Sequence, residues 1–468
     1  MIYLRLLINY LIVAIFYIPE FTRRCFGYVD IDQLSFFLFT ENGTLGTDPQ
    51  VLDAFFQWVI LRPLLLVLVF YGIYHFLLKS KLSPLRLKLV YNILLPVLLV
   101  SGLVHNFLTY DGLNFAKRFS GKDLLENYFH NLPTTMPTIQ KNKNLILLYV
   151  ESLENTFSND KIFDRNLNQP LEEKLGKSLF SIKQAPGTGW TTAGMVSSQC
   201  GMPIASFMGN SLGRRDAPVF SNLTCISDIL ADYGYQQTFF VGPDLKFSGM
   251  DKFYLEHGFQ EAYGKDELFK KLDKQEFGTG WGGGPNDDIV LDAALEKIKI
   301  NQKDQRNFNV TIITTDNHAP DGILSPRCKT ENLDTKLAEV VLCTNRAIKT
   351  FIERLEEINV FENTVLVVMG DHKFMGDLGT SERDIYFNYY GANTKQLEAT
   401  IFELTHFDVF PTLLRLILNI EVDQAHLGHS IFSKNLSGYK ELREYIFGNE
   451  FLKFSQFYRS FWQKNTIE

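Results

Sequence analysis

The chain has 468 residues, enough for one large α/β domain together with a membrane anchor. Apolar residues make up 46% and charged residues 21%, an ordinary globular balance, but many of the 40 Phe fall in the first 130 positions. The net charge of −7 argues against nucleic acid as a partner, because binding a phosphate backbone needs a basic surface.

In chain order, three apolar stretches come first: Ile2 to about Ile18, Val51 to Leu78, and Leu85 to about Tyr110 with Pro96 inside it. Each can supply the roughly 20 apolar residues that a bilayer core requires. Residues 1–110 are therefore expected to form an anchor of about three transmembrane helices. The first stretch lacks an Ala-x-Ala site at its end, so an uncleaved anchor is expected there rather than a signal peptide. Lys79, Lys81, Arg86 and Lys88 crowd the loop between the second and third stretches and mark it as cytoplasmic. The N-terminus is then inside, and everything after Tyr110 lies outside. Arg23 and Arg24 oppose this mildly, diluted by Asp30, Asp32, Glu41 and Asp48.

Residues 111–142 read as a juxtamembrane linker. Within it, Asp123–Leu132 is predicted as a short helix with Leu124, Leu125 and Phe129 on one side, lying against the bilayer surface and closed by Pro133 and Pro137. From Asn144 short apolar runs alternate with amphipathic stretches, which predicts an α/β sheet. The expected strands are Leu145–Val150, Gln237–Val241, Asn309–Thr314 and Val365–Met369; the expected helices are Ile289–Ile298, Ala338–Glu357 and Phe407–Leu418. A catalytic domain is expected over 143–435, followed by an extension over 436–468 to which no element is assigned. Of five cysteines, Cys25 sits beside the first span. The other four, in an oxidising compartment, allow three pairings, of which sequence proximity favours Cys200–Cys225 with Cys328–Cys343.

Ligands of open α/β sheets gather beyond the carboxyl ends of the strands. Glu151 directly follows the first expected strand, Asp316, Asn317 and His318 follow the third, and Gly370, Asp371 and His372 follow the fourth. Two carboxylates and an imidazole at such ends suit one divalent cation, with manganese, magnesium and zinc open. The Gly-rich segment 186–195 leads into a helical stretch. A threonine there, Thr191 or Thr192, would meet backbone N–H donors and a positive dipole end. Either could equally be a helix cap, and either needs a metal or base to act as a nucleophile.

The segments LLYVESLE (147–154), GTGWTTAGMVSSQCG (187–201), TTDNHAPDG (314–322), GDH (370–372) and HFDVFPTLL (406–414) resemble the sulfatase-type alkaline phosphatase superfamily. Within it they are most similar to membrane-anchored phosphoglycerol transferases acting on periplasmic glucans, with lipoteichoic acid synthases as relatives. The resemblance covers roughly residues 143–435. It implies a sulfatase-like α/β sheet with flanking helices, in a bacterial inner-membrane protein whose catalytic domain faces the periplasm or exterior. It makes Glu151, Asp371 and His372 ligands of one divalent metal, manganese first and magnesium or zinc next. It picks Thr191 over Thr192 as the nucleophile, itself in contact with the metal. His318 would bind the substrate phosphate or assist proton transfer, and Trp281 would line the headgroup pocket. The related synthases carry an arginine in the segment here reading GPDLKFSGMDK (242–252); none is present, so Lys246 or Lys252 would supply that charge. The implied reaction moves phosphoglycerol from phosphatidylglycerol to a hydroxyl of a glycan or polyol acceptor through a covalent intermediate on Thr191, releasing diacylglycerol. Phosphoethanolamine transfer to lipid A and glycerophosphate polymerisation are the alternatives. Sulfate-ester hydrolysis is not, because neither Thr191 nor Cys200 lies in a C/S-x-P-x-R sequence.

Overall fold

A computed structural model of the chain describes residues 2–39, 49–79, 84–133, 142–178, 180–205, 219–271, 279–392, 394 and 397–462. They divide into two compact units, Met1–Ile31 with Thr47–Lys117, and Asp32–Gly46 with Arg118–Glu468.

The first unit is helical. Its main helices are α1 (Ile2–Phe26), α2 (Arg62–Lys79) and α3 (Pro84–Thr109). Among the described residues, three stretches are long and apolar enough to cross a membrane: Tyr3–Phe26, Val51–Phe76 and Tyr91–Thr109. Helix α1 runs past the expected end at Ile18. Its last turns carry Arg23 and Arg24, which ion-pair one turn back with Glu20 at 2.9 and 2.6 Å. The second stretch enters α2 through a π-helical turn, Phe56–Leu61. Pro63 accounts for it, since proline has no N–H to offer and its ring crowds the carbonyl four residues back. Of the charges used to orient the anchor, Lys81, Glu41 and Asp48 lie outside the described residues, as does Pro137.

The second unit is built on an eight-stranded sheet: β1 (Asn144–Val150), β2 (Phe180–Ile182), β3 (Gln236–Val241), β4 (Glu261–Tyr263), β5 (Phe308–Ile313), β6 (Thr364–Gly370), β7 (Ile385–Gly391) and β8 (Glu403–Leu404). Their order is β4-β3-β5-β1-β6-β7-β2-β8, parallel from β4 through β6 and mixed beyond. Central strand β1 is buried along its whole length, which is why it reads as an unbroken apolar run. Its side chains still divide by face. Leu145, Leu147 and Tyr149 pack under α4 (Thr191–Cys200), α5 (Ile226–Asp232) and, further along the chain, the helix Val409–Leu418. Ile146, Leu148 and Val150 pack under α6 (Asp287–Lys303) and α7 (Lys336–Glu357). The register matters most at the carboxyl ends. Val150 pairs with Gly370 and Tyr149 with Ile313, so β1, β5 and β6 release their chains side by side.

The four expected strands are present, each within one residue of its expected ends. Helix Val409–Leu418 starts later than expected because His406–Asp408 forms a separate 3-10 turn. The expected helix Asp123–Leu132 is corrected. Only Leu125–Tyr128 is helical, and its apolar side faces protein rather than a bilayer. Leu125 is buried, Tyr128 stacks on Tyr445 at 4.3 Å, and Phe129 stacks on His426 at 4.8 Å. The partners come from the C-terminal extension and the loop before it. That extension forms the helix Tyr439–Ile446, whose Arg443 pairs with buried Asp408 at 2.9 Å. Both expected disulfides, Cys200–Cys225 and Cys328–Cys343, are formed, and Cys25 is free.

Next to the first disulfide, buried His257 bonds through Nδ1 to Asp228 and through Nε2 to the Val219 carbonyl, both at 2.7 Å. Two acceptors require two N–H groups, hence an imidazolium. Burial alone would lower its pKa, but the Asp228 carboxylate and the Val219 carbonyl together raise it above the ordinary value. A raised folded-state pKa stabilises fully below the unfolded value of about 6.5, and that contribution is lost as pH rises through the folded value. His257→Gln is therefore expected to cost on the order of 2 kcal/mol in denaturant titrations in mild acid, with the deficit shrinking in alkali.

Candidate active site

Adjacent parallel strands deliver three ligating groups to one point. Glu151 leaves β1; Asp371 and His372 leave β6; all three are buried. His372 Nε2 lies 3.4 Å from Glu151 Oε1 and 3.4 Å from Asp371 Oδ2. Its Nδ1–H donates to the Lys373 carbonyl at 2.7 Å, so Nε2 faces the cluster with its lone pair in the neutral ring. Asp371 Oδ1 accepts the N–H groups of Ser152 and His372, at 2.8 and 2.9 Å. Its other oxygen, Oδ2, is buried with no hydrogen-bond partner among the described residues. Burial, then the neighbouring Glu151 charge, holds Asp371 well above the usual carboxylate range. The same two carboxylates outweigh burial at His372 and raise it. Two crowded carboxylates, one aimed imidazole and one orphaned oxygen fit a divalent cation, with ligand atoms within 4.8 Å of one another.

Thr191 is the first residue of α4. Trp190, in extended conformation, occupies the N-cap without a side-chain capping bond, so Thr191 is not the cap. Its half-buried hydroxyl lies 3.2 Å from Glu151 Oε2 and 3.4 Å from His372 Nε2. Thr192 is turned the other way and fully buried, its hydroxyl 2.7 Å from the Ser248 hydroxyl. One turn on, a side chain at Gly194 would place Cβ 2.0 Å from the Asp371 carbonyl oxygen. The absence of that Cβ lets the helix rest on the backbone of a cluster residue. His406 Nε2–H donates to the same carbonyl at 2.6 Å.

Trp281 and His318 join a chain of contacts that runs from Thr192, next to Thr191, back to Glu151. Thr192 bonds Ser248; the neighbouring Phe247 ring meets Trp281 edge-on at 4.8 Å; Trp281 stacks on His318 at 4.3 Å. The His318 loop returns to Glu151: Asn317 Nδ2 donates to the Glu151 carbonyl at 3.3 Å, and the Glu151 N–H donates to the Thr314 hydroxyl at 3.1 Å. His318 Nδ1–H donates to the Ala319 carbonyl at 2.8 Å, which leaves Nε2 as the basic nitrogen. The loop with Trp281 sits directly on the turn after β3, where a Cβ on Gly284 would lie 1.8 Å from the Gly242 carbonyl oxygen. Asp316 does not turn toward the cluster. It accepts from the Asn286 amide and the Asp287 N–H, while Asp287 accepts from the N–H groups of Thr315 and Asp316. This reciprocal pair clamps the loop bearing His318 to the start of α6.

Lys246 is exposed on the turn before Phe247, and no hydrogen bond or ion pair joins its ammonium group to a described residue. A lysine that the sequence did not point to, Lys265, donates instead to the Gly282 carbonyl at 3.3 Å, beside Trp281. Also unforeseen is the pairing of buried Glu154 with partly buried Arg383. Glu154 accepts the Arg383 guanidinium and the Phe374 N–H, pinning the loop after His372 to the segment after Glu151. Glu154 lay inside a recognisable motif, but nothing in sequence signalled Arg383.

Residues 143–420, more than half of the chain, match the Sulfatase family, and the chain belongs to that family. It is 35% identical over 241 residues to phosphoglycerol transferase I of Escherichia coli O6:K15:H31 (strain 536 / UPEC), covering 50% of this chain and 31% of that protein. Its identity to phosphoglycerol transferase I of Citrobacter koseri is 35% over 257 residues, covering 53% and 33%. The matched region thus spans about a third of the length of these curated relatives. A solved lipoteichoic acid synthase, LtaP from Listeria monocytogenes, superimposes with a TM-score of 0.48 at 18% identity, over 69% of this chain and 80% of that one.

Gly194→Ala tests the helix-on-backbone contact. Backbone cannot move aside as a side-chain tip can, so the added methyl is expected to destabilise the protein by about 1–3 kcal/mol in denaturant titrations. It should also displace Thr191 and depress turnover beyond what the lost folded fraction explains.

Proposed function

We propose that the chain is a membrane-anchored, metal-dependent phosphoglycerol transferase that carries the transferred group on Thr191. The observation behind this reading is the partly buried Thr191 hydroxyl, within 3.4 Å of both Glu151 and His372. The relatives' name supplies the substrate class. In the first step Thr191 Oγ bonds to the phosphorus of phosphatidylglycerol and loses its proton, while the bond from phosphorus to the diacylglycerol oxygen breaks. Diacylglycerol leaves with a proton on that oxygen. In the second step a hydroxyl of a glycan or polyol acceptor attacks the same phosphorus, and Thr191 Oγ leaves and regains a proton.

Glu151, Asp371, His372 and Thr191 would hold a divalent ion, manganese in first place and magnesium or zinc in second. When bound, it supplies Lewis acidity and a lowered pKa for a coordinated hydroxyl. His318 Nε2 is the proton acceptor or donor for the entering and departing oxygens, and Trp281 forms a wall for the glycerol headgroup. Lys246 adds a cation at the rim. Residues 1–110 would anchor the chain in the bacterial inner membrane, with the catalytic part outside, where the phosphate of a lipid donor lies.

Incubating the full chain with headgroup-labelled phosphatidylglycerol and mapping peptides by mass tests the reading. A glycerophosphoryl adduct on Thr191 is expected. Thr191→Ala should abolish the adduct and cut diacylglycerol release at least about a hundredfold. Thr192→Ser, which keeps the hydroxyl facing Ser248, should retain both. Unchanged release from Thr191→Ala would sink the mechanism. An adduct from phosphatidylethanolamine alone would reassign the donor.

A further inference from the structure

The structure buries the apolar residues expected to touch the membrane surface and exposes others. In the second unit, three of the four exposed phenylalanines among the described residues fall in two short segments, 118–122 and 447–454: Phe119 (63% exposed), Phe447 (50%) and Phe454 (40%). The fourth, Phe402, lies elsewhere in sequence, before β8.

The two segments are held together. The Phe454 N–H donates to the Arg118 carbonyl at 3.1 Å, and the Lys122 N–H donates to the Glu450 carboxylate at 3.1 Å. Arg118 is fixed in turn by a two-pronged bond to buried Asp32, at 2.7 and 2.5 Å. Behind the exposed rings, Tyr445, Phe451 and Leu452 are buried in the core of the unit. The outward phenylalanines are therefore mounted on a fixed base, although exposing them to water costs free energy. Chain continuity says which apolar phase is at hand. Eight residues join the end of α3 at Thr109 to Arg118, and six of them, Gly112–Lys117, are coiled into a helix. Whatever the orientation of the two units, this short tether keeps segment 118–122 within reach of the surface of any bilayer that α3 crosses. Aromatic rings flanked by polar residues are the side chains that settle at that boundary.

We propose that Phe119, Phe447 and Phe454 form a foot that inserts into the interfacial layer of the lipid bilayer. This gives the C-terminal extension a role: it supplies two of the three rings and covers the helix Leu125–Tyr128. The inference is independent of the chemistry at Thr191.

Full-length Phe447→Trp and Phe454→Trp proteins, reconstituted in phosphatidylcholine–phosphatidylglycerol vesicles, test it, with the unsubstituted protein's emission subtracted and Phe402→Trp as the water-exposed reference. Lipids brominated near the headgroup should quench the new indoles at 447 and 454 several-fold more than the one at 402, and aqueous iodide should quench them less. Iodide quenching equal to that at 402 would overturn the proposal, because the face would then be in water. Shielding from both quenchers would also overturn it, because the face would then be covered by protein.

Discussion

The constraint on which the rest depends is the confinement of Glu151, Asp371 and His372 in one buried space where parallel strands end. Register creates it: Val150 opposite Gly370 makes the next residue of each strand a neighbour of the other. Two carboxylates in such a space repel, and the protein's own donors do not resolve the conflict. Two backbone N–H groups satisfy one oxygen of Asp371, and the other has no partner among the described residues. A divalent cation would invert this electrostatics, converting mutual destabilisation into shared coordination.

The surrounding structure keeps the cluster from relaxing apart. Gly194 lets the helix carrying Thr191 sit on the Asp371 carbonyl, and the disulfide from Cys200 ties the far end of that helix to Cys225. Glu154 and Arg383 hold the loop after His372, and Asp287 with Asp316 clamps the loop of His318. Each brace acts next to a residue of the candidate site and restricts the movement of the loop or helix that carries it. The Glu154–Arg383 pair is best understood as a device for position, since desolvation offsets much of its attraction.

The parts legible in sequence were those set by local physics. Strands β1, β3, β5 and β6 are buried on both faces and announce themselves as apolar runs. The rule that ligands follow strand ends singles out Glu151, Asp371, His372 and His318 as candidates, of which the structure gathers the first three into one cluster. Asp316 obeys the same rule and turns away to Asp287, a partner that sequence does not supply. Thr191 and Thr192 are chemically alike in the chain, and only the resemblance told them apart there; the physical difference is that Ser248, 56 residues downstream, claims the second hydroxyl. Leu124, Leu125 and Phe129 read in sequence as a bilayer-facing side for a similar reason, since Tyr445 and His426, which this segment packs against, lie some 300 residues later. The short strands β2, β4 and β8 are too brief to carry a pattern.

Counting bound metal in the full-length protein tests the central claim most directly. After stripping with chelator, reloading with manganese and removing the excess, elemental analysis should find about one ion per chain in the unsubstituted protein. Asp371→Asn and Glu151→Gln should each lose most of it while remaining folded. An unsubstituted protein that retains no ion, or variants that retain as much, would contradict the account.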